Sequence, residues 1–145
     1  MYKHILLATE LTNESKAIED RAAIIQKLTG AKFSIIHVNE FVPPMYPVGE
    51  VAAPYSYGET QEMLAKTAKE MLSKLQNRLA IPHAELTVKE GSISGEIVNF
   101  ADERGVDLII TGSHGRHGIK MLLGSTANAI LHHAKCDVLA VRIKD

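Results

Sequence analysis

The residues with chemistry to offer gather in one stretch of this 145-residue chain: Gly112-Ser113-His114-Gly115-Arg116-His117-Gly118-Ile119-Lys120, closed by Gly124-Ser125-Thr126. Glycines at 112, 115 and 118 free the backbone for positive φ and for close approach to an anion. Ser113, Ser125 and Thr126 add hydroxyls, and Arg116 and Lys120 add positive charge. Gly124-Ser125-Thr126 opens a predicted helix, where N–H groups without partners and the helix dipole favour negative charge. Such a set suits phosphate. It is not a Walker A loop, because no Gly-Lys-Ser/Thr stands at the required spacing, and it does not fit Gly-x-Gly-x-x-Gly. From the residues alone two readings stand side by side: an anion-binding loop, or a tight structural turn with a glycine-tolerant helix entry.

Other reactive side chains point less clearly to chemistry. His114 and His117 lie three apart, with His132 and His133 on the following helix. Loop histidines beside glycines are more often phosphate neighbours or solvated than metal ligands, so no metal is assigned. Cys136 has no local partner that forms a nucleophile motif and precedes a core strand, so an inert thiol is expected. No Asp/Glu pair stands at a spacing that demands acid–base catalysis. No catalytic residue is assigned, and nothing beyond slow incidental phosphate hydrolysis is expected.

The elements that must position the loop are read from periodicity. Lys3 to Thr9, Lys32 to Val38, Val106 to Thr111 and Asp137 to Ile143 are short apolar runs that predict strands, the first and third of them buried. Ala84 to Lys89 alternates, as a strand at a sheet edge would. Ile18, Ala22, Ile25 and Leu28 predict a helix ending at Gly30, after possible N-caps at Thr12 and Asn13. Leu64, Ala68, Met71, Leu75 and Leu79 stripe a longer helix over 59–78. Gly95 to Arg104, buried through Ile97, Val98 and Ala101, and Ala127 to Ala134 supply two more helices. Five strands alternating with four helices predict a single-domain α/β fold, a Rossmann-like doubly wound sheet of mostly parallel strands. In such a sheet ligands sit beyond the carboxyl ends of the strands, where strand order reverses, so the loops after the first and fourth strands should meet there. Residues 39–58, rich in Pro and Tyr, read as a long loop: a lid, a binding loop or a mobile excursion.

Composition bounds the function. With 46% hydrophobic and 23% charged residues, the chain has a globular balance rather than a disordered one. A formal charge of −1 advertises no nucleic-acid partner. No apolar run approaches the roughly 20 residues of a membrane span, and the start of the chain lacks a signal-peptide pattern. One cysteine excludes an internal disulfide and suits a reducing cytoplasm.

Several segments together resemble the universal stress protein family over essentially the whole length. They are Lys3-His4-Ile5-Leu6-Leu7-Ala8-Thr9-Glu10-Leu11-Thr12, Ile35-Ile36-His37-Val38, Asp107 to Gly115, Leu122 to Ala127 and Cys136 to Arg142. The resemblance implies that Gly112, Gly115, Gly124 and Ser125 hold the phosphates of ATP or AMP, with Mg²⁺. Ser113, His114, Arg116 and Thr126 stand beside them. It further implies that the acidic residue after the first strand, Glu10 next to Thr9, binds the ribose. The backbone near Val38 would meet the adenine. Two features depart from the family's nucleotide-binding pattern. Eight residues, 116 through 123, separate Gly115 from Gly124 where the pattern has nine, and Glu10 replaces the usual Asp, reaching one methylene further. The family's A-type branch lacks the glycines and is not expected to bind ATP. The alternative function is thus a stress-induced interaction protein without nucleotide. The resemblance also implies a homodimer through the last strand, 137–143.

Overall fold

The computed structural model describes residues 1–41, 57–113 and 123–143. Five strands form one sheet: β1 (His4–Ala8), β2 (Lys32–Glu40), β3 (Glu85–Gly91), β4 (Leu108–Gly112) and β5 (Asp137–Val141). The helices are α1 (Lys16–Thr29), α2 (Tyr57–Leu79), α3 (Ile93–Arg104) and α4 (Ser125–His133), with a single 3-10 turn at Asn13–Ser15. The strand order is β3-β2-β1-β4-β5 and every pairing is parallel, where the sequence reading was mostly parallel. β1 is buried at all five positions, as an unbroken apolar run covered on both faces should be. β3, with its half-exposed alternation, takes the edge. The chain winds outward through β2 and β3, then returns to place β4 on the other side of β1. Strand order therefore reverses between β1 and β4.

Two apolar layers sandwich the sheet. On one face Ile5, Leu7, Phe33, Ile35 and Ile110 meet Ile18 and Ala22 of α1 and Leu72, Leu75 and Leu79 of α2. On the other, Leu6, Ile36, Val38 and Ile109 meet Ile97, Phe100 and Ala101 of α3 and Ile130 of α4. The alternation of Ile5/Leu7 against Leu6 along β1 is the period-two geometry of a strand. Gly30 (φ 65) and Gly105 (φ 63) end α1 and α3 in the left-handed conformation that a Cβ disfavours. Ser92 caps α3 by accepting the Gly95 N–H.

The helix stripes need three corrections. Leu28 is 78% exposed, because the buried arc of α1 runs through Ile18, Glu19, Ala22 and Ala23, and at about 100° per residue Leu28 lies well off its centre. In α2 the buried positions are Ala68, Leu72, Leu75 and Leu79, so Leu72 replaces Met71. Leu64 is on the same side but 47% exposed, like most of the residues in the turns before Ala68. In α3, Phe100 is buried and Val98 only partly so. The loop expected over 39–58 is shorter at both ends, since Asn39 and Glu40 continue β2 and 57–58 begin α2; its residues 42–56 lie outside the described residues.

Pairing at the amino end of the sheet is reinforced by side chains. The Asp107 carboxylate accepts the backbone N–H of Lys3 (2.8 Å) and of His4 (3.0 Å). Burial works against its charge, but these N–H groups outweigh it and hold the Asp107 carboxyl below its usual range. His4 is buried with Nδ1 3.2 Å from the Arg104 carbonyl and Nε2 2.8 Å from Ser34 Oγ. A carbonyl can only accept, so Nδ1 carries the proton and Nε2 receives the Ser34 hydroxyl. Among the described residues no helix is long and apolar enough to cross a membrane.

Candidate functional site

At the carboxyl end of the sheet two adjoining hollows share Ala8, Glu10, Thr111 and Thr126. One extends toward α1 and the start of α4, along Ser15, Ile18, Gly112 and Ala127. The other extends over β2 and α3, along Ile36, His37, Val38 and Ile97. Together they make a crevice across the point where strand order reverses, the place at which open α/β sheets bind ligands. The sequence expectation that the loops after β1 and β4 meet is met by Glu10 and Gly112 on one wall.

The β1–α1 turn is tightly fixed. Thr9 N–H donates to the Ile36 carbonyl (3.1 Å), and the Thr9 carbonyl accepts from His37 Nδ1 (2.9 Å). The Thr9 hydroxyl donates to Glu19 Oε1 (2.8 Å) and accepts the Leu11 N–H (3.0 Å). Leu11 lies at φ 58, a left-handed conformation a leucine adopts only when its surroundings hold it there. Glu10, between these two anchored residues, lines both hollows. Glu19 is buried and pairs with Arg78 of α2, which also donates to Asp20 Oδ1 (2.6 Å).

Val38 stands where β2 outruns its neighbour. β1 pairs with β2 only up to Ala8–Ile36, while β2 continues beside β3 to Glu40. Beyond Ile36 the β2 edge that faced β1 is therefore no longer laddered to it. His37 Nδ1 carries the proton given to Thr9, so its Nε2 accepts, and the Asn39 side-chain amide 3.1 Å away must turn its NH2 group toward the ring.

On the β4 side, Gly112 is the last strand residue, paired with Val141. Its left-handed freedom, expected from sequence, is not used: among the described glycines only 30, 91 and 105 have positive φ. Gly124 is the N-cap of α4 at φ −60 and ψ 155, which other residues can also adopt. What glycine supplies there is the absence of a side chain. With no side-chain cap, the first-turn N–H groups of α4 lack the partner a Ser or Asp would offer. Ser113 is buried; its N–H donates to the Val141 carbonyl (2.9 Å) and its carbonyl accepts the Gly124 N–H (2.7 Å). Ser125 opens α4, and Thr126 lines both hollows. His114, Gly115 and Arg116 lie outside the described residues, as do His117, Gly118 and Lys120.

Reading the sequence missed Glu19, Arg78 and His37. An acidic residue on the buried arc of α1 was the available signal for Glu19; nothing local links it to Arg78, 59 positions away. At the opposite end of the sheet, burial pushes the Cys136 thiol up, and the Asp137 and Asp107 carboxylates add to the effect, so it stays protonated and unreactive near neutrality. Among the described residues no three His, Cys, Asp or Glu side chains gather as a metal site.

A family model described as "Universal stress protein family" matches residues 1–142. Universal stress protein A homolog 2 of Coxiella burnetii is 42% identical over 144 residues, covering 99% of this chain and 97% of that one. Universal stress protein A homolog 1 of the same organism is 37% identical, covering 99% of each. Among solved structures, a universal stress protein in complex with cAMP superposes with a TM-score of 0.73 at 22% identity, covering 99% of both chains.

Proposed function

The chain belongs to the universal stress protein family, and on that premise we propose that it is a cytoplasmic, homodimeric stress-response module that binds an adenine nucleotide, ATP or AMP. The observation that carries the reading is the crevice at the strand-order reversal. It brings Glu10, the unladdered β2 edge at Val38 and Thr126 in the first turn of α4 onto two adjoining hollows, with the Gly124 N-cap and Ser125 next to Thr126 in the chain. The apolar part along Ile36, Val38 and Ile97 suits an adenine ring. Glu10 in the middle can accept hydrogen bonds from ribose hydroxyls. The first-turn N–H groups of Ser125 and Thr126, with Gly112 opposite, suit phosphate. Ser113, His114, Gly115 and Arg116 complete the proposed phosphate set, and Mg²⁺ would accompany the phosphates. That a family member of the same fold was crystallised with cAMP agrees with an adenine ligand.

Dimerisation would use β5, an edge strand of the sheet. Pairing it with a second copy would satisfy its outer backbone groups. Nucleotide binding would then change what the dimer presents to partners.

Calorimetric titration with ATP, AMP and GTP in the presence of Mg²⁺ tests the proposal. Micromolar binding of an adenine nucleotide, with GTP much weaker, supports it. No heat with any of them on folded, nucleotide-free protein refutes it and favours an interaction protein of the A-type branch, the reading to which the eight-residue spacing points.

A further inference from the structure

We infer that the buried Glu19–Arg78 pair positions the ribose-binding residue: acting through Thr9, it fixes the conformation of the β1–α1 turn and so places Glu10. This rests on the nucleotide-binding reading above. Neither Glu19 nor Arg78 lines the crevice. A carboxylate on the buried side of an amphipathic helix is costly to keep unless it is paired and hydrogen-bonded. Here each oxygen has a partner: Oε1 takes the Thr9 hydroxyl and Oε2 takes Arg78 Nη2. Asp20 holds the other arm of the guanidinium, so Arg78 is anchored at both ends.

The geometry turns this pair toward the site. The Thr9 hydroxyl has one proton, and Glu19 is where it goes. That direction leaves the Thr9 oxygen lone pairs for the Leu11 N–H, which closes a side-chain turn around Glu10. The left-handed Leu11 backbone depends on that bond. Remove Glu19 and the hydroxyl is free to rotate, the turn loses its brace, and Leu11 can relax to an extended conformation that carries Glu10 away from the hollow. His37 holds the Thr9 carbonyl separately, so the strand end itself stays in place.

Two readouts test the linkage: affinity for ATP against 2′,3′-dideoxyATP, which differ only in the ribose hydroxyls, and amide hydrogen exchange at Leu11. Wild-type protein should prefer ATP. Thr9→Val and Glu19→Leu should bind ATP about tenfold more weakly and dideoxyATP nearly as wild type does, so that the preference collapses toward unity. The Leu11 amide should exchange at least about tenfold faster in both, while Leu6 and Ile109 keep their protection. Thr9→Ser, which retains the hydroxyl, should restore both readouts. Equal losses for both nucleotides would show a merely structural role and overturn the inference. So would wild-type exchange at Leu11 in both variants. Wild-type protein that binds no adenine nucleotide overturns the proposed function and the ribose role with it; Leu11 exchange then decides the turn linkage alone. If Glu19→Leu does not fold, Thr9→Val carries the same test.

Discussion

Replacing Gly124 with Asp should move folding stability and nucleotide affinity in opposite directions. Gly124 is the N-cap of α4 with φ −60 and ψ 155, so an Asp enters without backbone strain. Losing the glycine's freedom in the unfolded chain adds about 0.4–1 kcal/mol. A carboxylate that accepts first-turn N–H groups at the positive end of the helix dipole adds about 0.3–1 kcal/mol more. The sum is roughly 1 kcal/mol of added stability, or about 2–4 °C in Tm for a chain of this size. The same carboxylate would occupy the N–H groups proposed for phosphate. Each lost hydrogen bond to a charged group is worth about 1.5–3 kcal/mol, and like charge adds to it, so ATP affinity should fall about 100-fold or more. Gly124→Ala is the companion variant: without a carboxylate it should change stability by less than about 1 kcal/mol. Urea unfolding and calorimetry on the same preparations read both quantities. A Gly124→Asp protein that binds ATP like wild type would put the phosphates elsewhere. One that is less stable than wild type by more than about 1 kcal/mol would contradict the N-cap geometry.

Other consequences are open to direct measurement. Burial holds His4 below its ordinary value, with Lys32 adding to the effect against the pull of the Arg104 carbonyl. The unfolded chain therefore takes up a proton first, and stability should fall as pH drops below about 6.5. Urea unfolding between pH 5 and 8 should show a slope there that flattens in His4→Gln; an identical slope would remove His4 from the account. Leu72→Ala, at a position with no exposure, should cost about 2–5 kcal/mol, whereas Leu28→Ala should stay within about 0.5 kcal/mol in the same denaturation assay. Val141 faces β4 through its carbonyl, so in a parallel ladder the Ala140 N–H faces outward. Ala140→Pro should thus halve the molar mass seen by light scattering while circular dichroism is retained; an intact dimer would move the interface off β5.

Much of this architecture can be read in the chain because it follows from alternation. Unbroken apolar runs such as Ile5 to Ala8 and Leu108 to Ile110 suit strands covered on both faces, and the half-polar Glu85 to Lys89 suits an edge; β5, apolar from Val138 to Val141, nonetheless takes the other edge half-exposed. The glycines at 30 and 105 mark helix ends because their left-handed φ excludes most other residues. Counting apolar residues failed where burial is not apolar. Glu19 sits on the inner arc of α1, so the true arc is rotated away from Leu28. It also failed at Leu64, which shares the inner side of α2 yet is exposed. At the proposed site, Gly112 and Gly124 stand out from their places at a strand end and a helix start, whereas Glu10 and Val38 were singled out through the resemblance to the family. The bracing of Thr9 by Glu19, Arg78 and His37 was not, since side-chain hydrogen bonds across 10 to 59 positions leave no periodic trace.

The hydrogen bond from Gly124 N–H to the Ser113 carbonyl has a bearing on how this family can vary. With the two ends of the intervening segment joined there, the entropy of closing it is one cost that a change of length must alter. Shortening a nine-residue spacing to eight changes that cost by about 0.1 kcal/mol. As far as loop closure goes, a one-residue deletion between these two anchors is nearly free.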